Sequence, residues 1–459
     1  MDIKRNIFRE YDIRGLYPKE LNETTIKHIA GSVASKCHAE GVDSIAVGRD
    51  GRLSGESLLS EFCNEIIKYG IKVINIGLVT SPLLYYAAKK TVGKSGVMIT
   101  GSHNPKDYNG LKLVINDKPV AGTEMLDLID SINKDDYINA EIEHIDFLNQ
   151  YVSEVTGSLE IDKNLKVVID CGNGAAGAVA PLLFKKIGVQ LSELFSEVDG
   201  NFPNHHPDPS KPENLKDLIN KVLEENADIG FAFDGDGDRV GLITDKGDVI
   251  YPDKILMMFC KEILDKNKGS IIFDVKCTNA LPDLIKNLGG TPIMSPTGHY
   301  HIKNGIKEHN PLLAGEMSGH IFFNDKWYGF DDGHYSGARI VELISKNNCD
   351  ISEENIENSE KNTIKDLLNT EFNPATLIIE NESFMHNVSE NSESHFKIIL
   401  ASDCFKDVSN VKRHQLIYKV LSEEMKLIHA IAIHPFTKIE WDKNNQSSSK
   451  SPDCLGGSN

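Results

Sequence analysis

No apolar run in these 459 residues reaches the roughly 18 needed to cross a bilayer. The opening Met-Asp-Ile-Lys-Arg-Asn leads into no apolar signal core. The sequence therefore predicts a cytoplasmic chain with no membrane partner. Cysteine occurs eight times but never as C-x-x-C, which argues against a zinc knuckle or a thioredoxin motif. Scattered thiols suit a reducing compartment. Basic residues are in deficit, 49 Lys and Arg against 68 Asp and Glu, a net charge of −19. That argues against a nucleic-acid protein working through bulk charge. An anionic ligand must be held by a few placed cations. What is abundant is ordinary: 40% apolar and 25% charged residues, as in a globular chain. The length suggests about three domains.

The first 345 residues repeat one pattern three times. A short apolar strand, a Gly-rich or polar loop and a helix lead to further strands, and the last strand ends in a loop rich in functional groups. Strands at 44–48, 71–76 and 96–100 lead to Thr100-Gly101-Ser102-His103-Asn104-Pro105. Strands at 166–170 and 229–233 lead to Asp234-Gly235-Asp236-Gly237-Asp238-Arg239. Strands at 270–274 and 311–314 lead to Gly315-Glu316-Met317-Ser318-Gly319-His320. Alternating strands and helices imply mixed or parallel sheets with ligands at the carboxyl ends of strands. Three such units predict three similar α/β domains around one cleft, at 1–145, 146–247 and 248–348. Residues 349–361 are polar, acidic and Asn-rich, and read as a linker. A smaller α+β segment at 362–459 follows. Its helices fall near 363–370 and 410–426, and its strands near 376–380, 396–401 and 429–434.

Asp234, Asp236 and Asp238 alternate with glycines, so their carboxylates can converge on a hard cation such as Mg²⁺. The EF-hand pattern fails, because Arg239 and Asp245 stand where Gly and Glu are needed. A solvated acidic turn is the alternative, but three clustered carboxylates repel unless a cation offsets them. Ser102 is a candidate nucleophile. Its neighbour His103 is poorly placed as its base, because adjacent side chains usually point apart, and no G-x-S-x-G elbow surrounds it. Gly172-Asn173-Gly174-Ala175-Ala176-Gly177 matches the dinucleotide fingerprint and keeps an NAD-dependent oxidoreductase as an alternative. A tight strand-to-helix turn is the plainer reading, since Asp199-Gly200-Asn201 is a turn and not a strand end.

With Phe8-Arg9-Glu10-Tyr11-Asp12-Ile13-Arg14-Gly15, these loops make residues 1–348 resemble the α-D-phosphohexomutases, in particular bacterial phosphomannomutase/phosphoglucomutase. The resemblance implies isomerisation of hexose 1- and 6-phosphates, with Ser102 carried as phosphoserine. It also implies Mg²⁺ shared between Ser102 and Asp234, Asp236 and Asp238, and a hexose 1,6-bisphosphate intermediate and activator. Arg14, Lys112 and Arg239 would bear on the phosphoryl charge, and Lys112 and His299 are candidates for proton transfer. Arg9, Tyr11, His103, Lys276, Glu316, Ser318 and His320 would contact the phosphosugar. Glu-Met-Ser resembles the hexose enzymes rather than the glucosamine ones. The family's fourth domain carries an Arg-x-Ser-x-Thr loop that grips the other phosphate, and no such loop occurs after residue 348.

The tail instead resembles BolA, a small fold similar to a class II KH domain. Asn381 through His386, Ser392 through Lys397, Val411-Lys412-Arg413-His414 and Ile428-His429-Ala430 carry the likeness. It implies a monothiol glutaredoxin partner and shared ligation of a [2Fe–2S] cluster by His429 with His386 or His395. DNA binding through Lys412 and Arg413 is a thinner alternative. The expectation is thus a phosphohexomutase fused to a BolA-like domain. The alternatives are an impaired mutase acting as an iron–sulfur adaptor, and the NAD enzyme.

Overall fold

The structure, a computed structural model, describes residues 3–129, 137–162, 164–347, 360–381, 395–422, 425 and 430–443. The chain forms two compact units, Met1–Ser352 and Glu353–Asn459.

The first unit holds three mixed sheets built on one plan. In the first, Ser44–Arg49 lies between Lys72–Leu78 and Gly96–Ile99, all parallel, and Tyr108–Ile115 returns antiparallel beside Gly96–Ile99. In the second, Lys166–Asp170 lies parallel between Gln190–Leu194 and Ile229–Phe233, and Val240–Thr244 returns antiparallel. In the third, Ser270–Asp274 lies parallel between Thr291–Ser295 and Leu313–Gly315, and Ile321–Phe323 returns antiparallel. Parallel strands covered on both faces need apolar residues throughout. Ser44–Arg49 accordingly buries its first five residues, and Ile229–Phe233 all five.

The plan puts three loops in equivalent places. Residues 100–107, 234–239 and 316–320 each join the third parallel strand to its antiparallel return. Each repeat thus ends in the loop whose chemistry the sequence singled out, at the carboxyl end of a strand.

The second unit has its own core of Ile364, Leu368, Phe372, Phe396, Ile398, Leu400 and Ile417. Its sheet pairs Thr376–Asn381 antiparallel with His395–Ala401, which runs parallel to Ala430–Phe436. Helices Glu360–Phe372, Asn410–Val420 and Lys438–Lys443 complete the described part. Among the described residues no helix is long and apolar enough to cross a membrane. Cys37, Cys63, Cys171, Cys260, Cys277 and Cys404 are free thiols.

Candidate active site

Ser102 stands just past the strand Gly96–Ile99, almost fully buried, with φ of 48°. This left-handed backbone turns its hydroxyl toward the second repeat, where Ser102 Oγ donates to Asp234 Oδ2 at 3.3 Å. The His103 ring does reach back, against expectation, with Nδ1 3.2 Å from Ser102 Oγ. The tight turn overrides the usual divergence of adjacent side chains. Burial, then Arg239 and Arg14, depress the His103 pKa to about 2, so the ring is neutral.

Asp234, Asp236 and Asp238 are wholly buried, with oxygens within 4.8 Å of one another. Lys112, on the return strand of the first repeat, places Nζ 2.7 Å from Asp236 Oδ2 and 2.5 Å from Asp238 Oδ2. Burial alone would lower its pKa, but the two carboxylates hold it well above the ordinary value. Ser81 Oγ also donates to Asp236 Oδ2, at 2.5 Å. Asp236 Oδ1 is buried with no hydrogen-bond partner among the described residues. Burial, Asp238 and Asp236 push the Asp234 pKa well up. An orphaned carboxylate oxygen amid three converging carboxylates fits a hard divalent cation.

The third repeat closes on the same point. His320 Nε2 lies 3.2 Å from Asp238 Oδ1, and Nδ1 lies 3.1 Å from Glu316 Oε2. Burial opposes the charge, but Asp238 outweighs it and the pKa rises to about 9. Carboxylates at both ring nitrogens favour imidazolium, so Arg239 Nε, 3.2 Å from His320 Nε2, is a like-charged neighbour and not a donor to it. Ser318 Oγ lies 3.0 Å from His320 Nδ1. Glu316 Oε1 accepts from the Gly298 amide at 2.6 Å. His299 is the electrostatic opposite of His320: burial, Lys303 and Lys112 hold its pKa well below the ordinary value. Its Nδ1 is buried without a partner among the described residues. Tyr11 packs its ring 5.5 Å from that of His301. Arg14 donates to Asn104 Oδ1 at 2.5 Å and pairs with Asp12. Arg9 and Lys276 are exposed.

Two residues escape the sequence reading. Lys303 Nζ lies 2.7 Å from Asp331 Oδ1 and 3.9 Å from the centre of the Tyr85 ring. The Asp331 carboxylate joins Asp238 and His320. Neither has a local motif; only the fold brings them in.

The G-x-G-x-x-G turn has another explanation than a dinucleotide. A Cβ on Gly177 would lie 2.0 Å from Ser196 O, and one on Gly174 would lie 2.9 Å from Gly235 O. The glycines let the turn press against Ser196 and the aspartate loop. Of the iron–sulfur candidates, His386 and His429 lie outside the described residues, and His395 opens a strand with its side chain likewise outside them. Arg413 is buried and paired with Glu440, Nη1 to Oε2 at 2.5 Å, which withdraws it from any nucleic-acid surface.

Models of phosphoglucomutase/phosphomannomutase α/β/α domains I, II and III match residues 5–138, 143–247 and 251–360. The chain is 51% identical over 344 residues to a phosphomannomutase/phosphoglucomutase of Pseudomonas putida, which covers 74% of each chain. The chain belongs to the phosphoglucomutase/phosphomannomutase family. A Pseudomonas aeruginosa phosphomannomutase/phosphoglucomutase is 50% identical over 348 residues, 75% of each chain. A crystal structure of a family protein from Burkholderia thailandensis superposes with a TM-score of 0.73 at 40% identity, over 82% of this chain and 87% of that one. A BolA-like model matches residues 368–440. This mutase-family chain therefore carries three hexomutase α/β domains followed by a BolA-like domain. The NAD alternative finds no support in these relatives.

Proposed function

We propose that this chain interconverts the 1- and 6-phosphates of mannose or glucose, with Ser102 as the phosphoryl carrier and a hexose 1,6-bisphosphate as intermediate and activator. The observation that carries the reading is the hydrogen bond from Ser102 Oγ to Asp234 inside the buried carboxylate triplet. Asp234, Asp236 and Asp238 would hold Mg²⁺, which when bound offsets charge on the transferring group. In the transfer, the Oγ–P bond of phosphoserine 102 breaks as a sugar hydroxyl oxygen bonds to phosphorus. The sugar hydroxyl proton goes to His299, a neutral imidazole with an open buried nitrogen. Lys112 holds its own proton against two carboxylates, so its part is charge stabilisation and not proton removal. Arg14 and Arg239 add positive charge, and Glu316, Ser318 and His320 face the sugar. Lys276 and Arg9, exposed, would engage only the phosphosugar itself. Cytoplasmic phosphosugars suit the free thiols among the described cysteines.

The test is a coupled assay from glucose 1-phosphate to glucose 6-phosphate with Mg²⁺ and catalytic hexose 1,6-bisphosphate. Turnover should vanish in Ser102→Ala. Equal rates in the two proteins would overturn the reading.

The match of a BolA-like model to 368–440 favours a second role, an adaptor sharing a [2Fe–2S] cluster with a monothiol glutaredoxin through His429 and His386 or His395. Reconstitution with such a partner should give visible absorbance that His429→Ala loses. An unchanged spectrum would exclude His429.

A further inference from the structure

The serine loop is gripped from behind by one side chain. Arg52 follows the strand Ser44–Arg49 and is 1% exposed. Its Nη2 donates to Ser102 O at 2.7 Å and to Asn104 O at 2.7 Å. Its Nη1 donates to Pro105 O at 2.6 Å and to Tyr108 O at 2.8 Å. Its Nε donates to Asp50 Oδ2 at 3.1 Å. A guanidinium has five N–H donors in a fixed plane, and here each has an acceptor. Four of those acceptors are carbonyls of the segment that carries Ser102.

Asp50 completes the grip on the other side. Its Oδ2 accepts from Thr100 Oγ1 at 2.7 Å and from the Gly101 amide at 3.2 Å, and its Oδ1 accepts from the Arg52 amide at 3.0 Å. Gly101 is required, because a Cβ there would lie 2.5 Å from Arg52 Cζ. The second repeat leans on the same point. The Phe202 ring centre lies 5.5 Å from Arg52 Cζ, and a Cβ on Gly200 would lie 2.9 Å from Arg52 Cα. Carbonyl oxygens repel one another when aimed at one spot, and Ser102 sits at positive φ, so the loop does not hold this shape alone.

We propose that Arg52, oriented by Asp50, is the positioning residue of the phosphoryl carrier: it fixes the 100–108 loop so that Ser102 Oγ meets the aspartate loop. Arg52 touches no reacting atom. The proposal rests on Ser102 being the carrier. Lysine, with three donors on a point charge, cannot serve five acceptors, so Arg52→Lys does not rescue. A misplacement of about 1 Å can cost about 100-fold in rate.

The experiment compares wild type, Arg52→Lys and Arg339→Lys. Arg339 is equally buried but bonds Glu262 and Asp325, and serves as the structural control. Each protein is assayed for kcat and KM, for Ser102 phosphorylation by intact mass, and for amide exchange across 100–108. Arg52→Lys should lower kcat about 100-fold with KM changed less than about threefold, and should lose protection at Gly101 and Ser102 while the rest of the chain stays protected. Arg339→Lys should lose stability without that split. Wild-type kcat or wild-type protection in Arg52→Lys overturns the proposal, as does a joint fall of kcat and melting temperature matching Arg339→Lys. Absence of turnover and of phosphoserine in wild type would fail the mutase reading, and the exchange data would still decide the role of Arg52.

Discussion

His205 shows how one side chain ties a motif loop to the scaffold. Its Nε2 lies 2.9 Å from Asp170 Oδ2, at the end of the strand Lys166–Asp170, and its neighbour His206 bonds the carbonyl of His103. Burial disfavours the imidazolium, but the hydrogen bond and charge of Asp170 prevail and the His205 pKa is raised. A group that binds its proton more tightly when folded contributes stability that is complete below the unfolded pKa of about 6.5 and is lost as pH rises through the folded value. His205→Asn should therefore cost about 1–3 kcal/mol near pH 6 and clearly less near pH 9, read from urea midpoints. An equal cost at both pH values would show that His205 is neutral. At this scale the sequence was informative where chemistry is local. The three aspartates stand in a short motif whose spacing points to a hard cation, and Ser102 stands in a loop whose likeness to a known family singles it out. Lys303, Asp331 and Arg52 stand in no such motif, because their roles come from partners distant in sequence: Arg52 bonds Tyr108, Asp331 joins Asp238, and Lys303 meets the ring of Tyr85.

The three functional loops were legible as elements because each follows an apolar strand that must end at the surface of a sheet. Boundaries were less so: the second strand of the first repeat runs Lys72–Leu78 and not 71–76, since backbone pairing and not hydrophobicity ends a strand. The helix expected at 410–426 is Asn410–Val420 in the structure. Glycine usage was the hardest to read, since the same residue type serves a phosphate, a turn or a close approach. Cβ positions separate these cases. Gly177 would clash with the Ser196 carbonyl at 2.0 Å, whereas Gly157, ending the helix Leu148–Gly157, meets nothing within 4 Å. Gly177→Ala should lower stability by about 1–3 kcal/mol through overpacking. Gly157→Ala should raise it by about 0.4–1 kcal/mol by restricting the unfolded chain. Thermal unfolding of both variants checks the pair, and a tolerated Gly177→Ala would return the turn to a ligand-binding explanation.

At the scale of the molecule, the question is whether the second unit serves the first in catalysis. Phosphate recognition favours arginine, whose fork matches phosphate oxygens in pairs. After residue 348 the sequence has one arginine, Arg413, and the structure spends it internally. Its Nη1 and Nη2 meet Glu440 at 2.5 and 3.1 Å, and its Nε bonds Val408 O at 2.9 Å. The pair holds Glu440 at a pKa of about 2, chiefly through the Arg413 hydrogen bond, so the guanidinium stays neutralised across the working range. A unit with its own core and no open guanidinium is equipped to fold by itself and poorly equipped to grip a sugar phosphate. Residues 1–352 alone should therefore retain kcat/KM within about twofold of the full chain in the glucose 1-phosphate assay. Two separate thermal transitions should appear in the full chain, because each unit buries its own apolar surface. A large loss of kcat/KM on truncation, with the melting temperature of the first unit unchanged, would mean that lysines or backbone amides of the BolA-like unit complete the substrate site. The affinity lost would then appear in KM if they bind the sugar phosphate uniformly, and in kcat if they act only on the bisphosphate in transit.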